Sequence, residues 1–192
     1  MLTKKISNIR IAIMVANESE DVEIITPYDL WQRAGFIIEL ISVEKKNTII
    51  LQSGAKIYCN GTLDKTNLDQ FNAIYLPGGK GHIKFKDEKY CEKLIKTLKK
   101  FAKEKSKWLL GMCAAPSIFG ELGLLGESKV TVYPGFEKAV GANFENKPVV
   151  ISGTFITGKS LAYSIQFALL VIEKLIDKKV ANGVAKQILY EK

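Results

Sequence analysis

Apolar positions along the chain alternate between short unbroken runs and longer stretches at helical spacing. Residues 9–15 form an apolar run of the kind found in a strand covered on both faces of a parallel sheet. An acidic turn at residues 18–21 follows. The next helix starts either at Thr26-Pro27, with Asp29 near its positive end, or earlier near Asp21 with a kink at Pro27, and Gly35 closes it. Residues 36–43 give a second strand. Residues 48–51 and 56–58 give two short strands flanking Ser53-Gly54, and residues 73–76 a buried strand that stops at Pro77-Gly78-Gly79. Cys91, Leu94, Ile95, Leu98, Phe101 and Ala102 share one face of a helix that also carries the lysines of residues 93–107. Residues 108–112 read as a strand running into Cys113-Ala114-Ala115-Pro116 and a helix that ends near Gly123. Residues 130–132 and 149–152 are further strand candidates, and residues 161–176 form a last clear helix with Leu161, Ile165, Leu169, Ile172 and Ile176 on one side. Strands alternating with helices predict one doubly wound α/β domain over residues 1–192. It has a mostly parallel sheet, helices on both faces, and ligands at the carboxyl ends of the strands.

Composition sets the broad class. The 192 residues are 47% hydrophobic and 25% charged, which excludes disorder. A domain of this length buries about 70% of its unfolded surface without help from a disulfide or structural metal. Cys59, Cys91 and Cys113 are an odd set with no close pair, and there is one histidine, so neither a disulfide framework nor Cys/His zinc spacing is expected. A reducing, cytoplasmic setting follows as the expectation. Residues 1–9 carry lysines without an apolar leader, and no run reaches the roughly 18 apolar residues that suggest a membrane span. The net charge of +8 rests on 28 basic residues, of which only Arg10 and Arg33 are arginine. Bidentate reading of phosphates or base edges favours arginine, and no aromatic-interleaved basic strand accompanies the charge. The lysines are therefore read as a solvated helix face, and no specific nucleic-acid partner and no membrane partner is expected.

Cys113 is the most informative residue for chemistry. It ends an apolar strand, is followed by two alanines, and precedes Pro116 at a favoured first helical position. Such a strand-to-helix elbow pushes the thiol out at the ligand edge of the sheet, where a helix N-terminus is expected to lower its pKa. Cys59, in a strand, and Cys91, on the apolar helix face, read as core. Pro77-Gly78-Gly79 ends a strand, so in a parallel sheet its N–H groups can lie at the same edge as Cys113 and form an oxyanion site with it. Glu23, soon after the first strand, is the leading carboxylate candidate. His82 reads as a polar loop residue beside the glycines, and Tyr133 can supply a phenol. A rival motif is Gly153-Thr-Phe-Ile-Thr-Gly158-Lys159-Ser160, which spells a P-loop letter for letter. Its β-branched and aromatic interior suits a strand rather than a phosphate nest, and no later strand offers a metal-binding Asp. The segment is read as a hairpin leading into a helix N-terminus.

Leu76-Pro77-Gly78-Gly79, Gly111-Met112-Cys113-Ala114-Ala115-Pro116 and Tyr133-Pro134-Gly135-Phe136-Glu137 together resemble the DJ-1/PfpI superfamily, most closely its DJ-1-like bacterial members. Glu23, four residues before Pro27 in a helix ending Arg33-Ala34-Gly35, stands where that family places an acid. The resemblance implies a flavodoxin-like sandwich, a homodimer, a reactive Cys113 hydrogen-bonded by Glu23, and a substrate oxygen faced by the N–H groups of Gly79 and Ala114. It implies a cofactor-free, metal-free enzyme acting on small reactive aldehydes or dicarbonyls such as methylglyoxal, in the manner of a glyoxalase or deglycase, with Tyr133 a substrate contact. The alternative it implies is a redox-responsive stress or chaperone-like protein that uses oxidation of Cys113. Ala114 stands where the protease-like branch has His, and no histidine follows His82 to serve glutamine hydrolysis. Tyr133 stands where some glyoxalase-active members have His, and Gly158-Lys159-Ser160-Leu161-Ala162 replaces a loop usually rich in glycine and proline.

Overall fold

The first strand, β1 (Arg10–Val15), explains the layout of the fold. Ile11, Ile13 and Val15 enter one apolar cluster, while Ala12 and Met14 enter another on the opposite side. A strand that is apolar on both faces has to be central and covered twice. The chain is described by a computed structural model for residues 8–191; residues 1–7, most of the stretch expected to carry no apolar leader, lie outside the described residues.

From β1 the chain runs through α1 (Asp21–Ala34), β2 (Ile37–Ser42), a hairpin of β3 (Thr48–Ile50) and β4 (Lys56–Tyr58), and β5 (Gly61–Thr62). Next come β6 (Ala73–Leu76), α2 (Glu88–Phe101), β7 (Trp108–Met112), α3 (Pro116–Glu121) and α4 (Glu137–Val140). The last elements are β8 (Val149–Ser152), β9 (Phe155–Gly158), α5 (Ser164–Leu175) and α6 (Lys178–Gln187). The seven-stranded sheet has the order β5-β2-β1-β6-β7-β9-β8, parallel throughout except for the antiparallel β8–β9 pair. This is the expected flavodoxin-like α/β layering. β2 and β6 flank β1 on opposite sides, so the strand order reverses there, and folds of this kind bind ligands at the carboxyl ends of the strands on either side of such a point. Helices α1, α5 and α6 pack together on one face, while residues of α2 and α3 share the apolar cluster on the other.

Several expectations are corrected. α1 starts at Asp21, the earlier of the two alternatives, and holds Pro27 inside it. Residues 130–132 are not a strand: Val130 makes one isolated bridge to Phe144. The Thr131 N–H is taken by the Thr157 hydroxyl at 2.9 Å and the Tyr133 N–H by the Cys113 carbonyl at 2.8 Å, which leaves no ladder to build. Residues 161–163 form a 3₁₀ turn before α5 rather than its first turn. α6 was not foreseen, because its buried apolar residues Ala181, Val184 and Ala185 are few and small. Asp177 caps it, accepting from the Val180 N–H at 2.8 Å. Residues 149–158 do form the expected hairpin. No helix among the described residues is long and apolar enough to cross a membrane.

Candidate active site

Cys113 follows β7 with φ +60°, one of three non-glycine residues with positive φ among the described residues. An L-residue there costs roughly 1–2 kcal/mol, so the surroundings must hold it. They do so from two sides: the Cys113 N–H donates to the Gly158 carbonyl at the end of β9 (2.9 Å), and its carbonyl accepts from the Tyr133 N–H (2.8 Å). Ala115 N–H closes the turn onto the Met112 carbonyl at 3.0 Å. The elbow presents the thiol partly to solvent, whereas Cys59 and Cys91 are fully buried as the sequence predicts.

Glu23 reaches the same point from the first turn of α1 and is completely buried. Its Oε2 accepts from the Gly78 N–H at 2.7 Å, and its carboxyl lies within hydrogen-bonding reach of the Cys113 thiol. Oε1 is buried with no ordinary partner of its own. The two side chains meet over Gly78. A Cβ on that residue would stand 2.6 Å from the Cys113 Cβ and 2.7 Å from Glu23 Oε2, so only glycine leaves room for the pair.

The backbone of Glu23 is held by a device that the sequence reading missed. Pro27 has no N–H to give the carbonyl four residues before it, so the Glu23 carbonyl loses its helical partner. The Tyr75 hydroxyl, rising from β6, donates to that carbonyl at 2.8 Å. Tyr75 is itself wedged between Trp31 and Phe167, with ring centroids 5.4 and 5.5 Å away. The signal was legible in principle: a phenol in the otherwise apolar strand Ala73-Ile74-Tyr75-Leu76, and a proline one helical turn after the acid.

Electrostatics overturns the expectation of an acidic thiol. Burial pushes Glu23 up to about 7, against the opposing Gly78 and Cys113 hydrogen bonds. Burial and the neighbouring Glu23 carboxylate push Cys113 up to about 12, although the Ala114 and Gly79 N–H groups pull it down. The helix after the elbow, α3, has only six residues, too few to build the dipole that the expectation relied on. The site resists two adjacent negative charges, so between those values the pair retains one proton.

The N–H groups of Gly79 and Ala114, the candidate oxyanion donors, both lie where they favour the Cys113 thiolate. Tyr133 meets Cys113 through its backbone, with its ring about half exposed. His82 is not the polar loop residue expected. It is 7% exposed, with Nδ1 2.7 Å from the Gly79 carbonyl and its ring edge-on to Phe136. A cavity of about 530 Å³ lies elsewhere, lined by Val43, Glu44, Lys84, Tyr90 and Cys91 among others. Of its charged groups Lys84 pairs with Glu44 and Asp87 caps α2, while Lys45 and Lys46 also line it. Among the described residues no group of three or more His, Cys, Asp and Glu side chains is placed to hold a metal ion.

A cysteine on a strand-to-helix elbow of a doubly wound sheet, met by a buried carboxyl from the first helix, defines the class of protein. The sequence profile of the DJ-1/PfpI family matches residues 9–174, and the chain belongs to that family. An uncharacterised protein of Mycoplasma pneumoniae is 30% identical over 186 residues, covering 94% of this chain and 88% of its own. A Pyrococcus horikoshii protein named as a deglycase is 29% identical over 153 residues, covering 78% of this chain and 89% of its own. The structure of oxidised DJ-1 from Toxoplasma gondii covers 96% of this chain and 100% of its own, with a TM-score of 0.87 at 27% identity.

Proposed function

We propose that the protein is a cysteine-dependent, cofactor-free enzyme acting on small reactive dicarbonyls, with methylglyoxal to lactate as the reference reaction. The observation that carries this reading is a buried carboxyl, pushed up to about 7, against the one cysteine of three that solvent reaches. A carboxyl poised near neutrality is suited to give and take protons. Cys113 is the nucleophile, Glu23 the general acid/base, and Tyr133 a contact for the substrate. A relative named as a deglycase supports the same substrate class.

In this scheme the Cys113 sulfur bonds the aldehyde carbon while its proton passes to the Glu23 carboxylate, so the pair never bears two charges. The carbonyl electrons move to oxygen, where the Gly79 and Ala114 N–H groups receive the developing charge before Glu23 protonates it. Glu23 then moves the proton from the former aldehyde carbon to the adjacent ketone carbon, and the hydroxyl proton passes from the first carbon's oxygen to the ketone oxygen, which leaves a thioester beside a new alcohol. One carbon is oxidised and its neighbour reduced, so no outside electron acceptor is needed. Water cleaves the resulting thioester, releasing lactate and the free thiol. We infer a homodimer as well, which sedimentation at micromolar concentration tests.

A second reading, a redox-responsive protein, draws support from the relative solved in oxidised form and from Glu23, whose protonated carboxyl can donate to an oxidised sulfur. Lactate formation from methylglyoxal by wild type beside Cys113→Ala, with peroxide-dependent mass shifts on the same proteins, separates the two. Faster turnover in the wild type supports the enzyme. Equal turnover with selective oxidation of Cys113 supports the sensor.

A further inference from the structure

We propose that His82 is a positioning residue that aims the Gly79 N–H at Cys113 and ties together the two turns flanking the thiol; this rests on Cys113 being the reactive group. Gly79 has φ +82° and ψ 176°, a region essentially confined to glycine that persists only where neighbours enforce it. Each backbone polar group of Gly78 and Gly79 has a partner. The Gly78 N–H donates to Glu23 Oε2, and its carbonyl accepts from the Glu20 N–H at 3.1 Å. The Gly79 N–H is close enough to the Cys113 sulfur to favour its thiolate. That leaves the Gly79 carbonyl, and His82 takes it at 2.7 Å from Nδ1, with the His82 N–H a longer second donor at 3.3 Å.

A carbonyl can only accept, so Nδ1 carries the proton and the ring is the neutral Nδ1–H tautomer. Burial, which disfavours the imidazolium, agrees. The nearby charges Lys86 and Glu121 are paired with each other. The imidazole also stands edge-on to Phe136, with centroids 5.4 Å apart and planes at 84°. Phe136 N–H bonds the Tyr133 carbonyl at 3.1 Å, and Tyr133 N–H bonds the Cys113 carbonyl at 2.8 Å. One ring thus fixes the glycine turn through a hydrogen bond and the Tyr133 turn through packing. Nothing in the polar spacing of residues 77–82 revealed this, because the connection through Phe136 spans 54 positions of sequence.

The test separates the hydrogen bond from the packing. His82→Phe keeps a ring against Phe136 and removes the donor; His82→Asn removes the ring and keeps an amide N–H able to reach the same carbonyl. The rate of Cys113 alkylation by iodoacetamide is followed against pH in all three proteins. His82→Phe is expected to react about tenfold more slowly at neutral pH, with its profile displaced to higher pH, because one N–H donor to the developing thiolate is no longer held. His82→Asn is expected to recover most of that loss. Equal rates and profiles in all three proteins, or equal loss in both variants, would overturn the proposal. Nitrogen NMR of the wild type needs no variant, since the chain has one histidine. Protonated Nδ1 is expected, and an Nε2–H tautomer would overturn it. Alkylation is independent of turnover: a shifted profile in a protein that makes no lactate would leave His82's role standing and remove the proposed function.

Discussion

Two neighbouring strand ends of the sheet meet opposite fates. β7 and β9 are paired, with Met112 opposite Gly158, and the Cys113 N–H bonds the Gly158 carbonyl. At the end of β7 the chain turns through a strained αL cysteine with a buried acid and two N–H donors gathered around it. At the end of β9 stands a segment that spells a P-loop, yet its residues are committed elsewhere. Phe155, Ile156 and Thr157 are buried strand residues, the Thr157 hydroxyl accepts from Thr131, and Lys159 Nζ donates to Asn146 Oδ1 at 2.8 Å. A motif becomes a site when its polar groups are left available by the fold, and spelling alone does not decide that.

The sharpest way to break the comparison is Cys113→Ala, which is expected to reduce methylglyoxal turnover to the buffer rate while the thermal melt stays cooperative. Lactate formation and a calorimetric scan check both halves. Glu23→Gln is expected next, with turnover down about a hundredfold although Cys113 still reacts with the dicarbonyl. The same variant has a signature in stability. Glu23 titrates near 7 in the fold instead of its usual 4.5, so the native state holds a proton that the unfolded chain gives up earlier. Its contribution is complete below about pH 4.5 and is lost as pH rises through about 7, amounting to about 3 kcal/mol. Urea melts across that window should show wild-type stability falling relative to Glu23→Gln. A smaller effect is expected from Gly78→Ala. Its φ is not positive, so space alone decides, and a methyl group between Cys113 and Glu23 should cost about 1–3 kcal/mol and part of the turnover. Chemical denaturation and lactate assays measure each.

The layering of the fold was legible in the sequence because it depends on local signals. Apolar runs marked the central strands, and Cys113 and Pro77-Gly78-Gly79 stood out at strand ends, whereas the roles expected of Glu23, Gly79 and Ala114 came from the family resemblance. What the sequence hid was set by contacts between distant segments. The thiol was expected to be acidic because a helix follows it, but the deciding influences are burial and a carboxylate 90 positions earlier. Tyr75 supports Glu23 because Pro27 leaves a carbonyl open, and that pairing exists only once α1 lies on β6. His82 was hidden for the same reason, since a loop histidine becomes buried only when Phe136 closes over it.

The smallest effect tests the other side of the comparison. If the β9 end is structural, Lys159→Ala should leave Mg-ATP affinity unchanged, with no binding in either protein, and stability within about 0.5 kcal/mol of wild type. A phosphate nest needs consecutive backbone N–H groups turned into one concavity. Here Thr154 to Gly158 cannot supply them. Phe155 to Gly158 lie in a strand, and a Cβ on Gly158 would stand 2.8 Å from Met112 Cε and 3.2 Å from a Phe167 ring carbon, so that glycine serves close packing against β7 and α5. The Lys159 N–H is bound to the Pro148 carbonyl at 2.9 Å, and its Nζ donates to Asn146 Oδ1 in the segment before β8. Removing it deletes one exposed hydrogen bond and nothing that a nucleotide would meet. Titration calorimetry with Mg-ATP checks this. A micromolar site in the wild type, abolished by Lys159→Ala, would mean that the hairpin opens to make a nest, and the contrast between the two strand ends would fall.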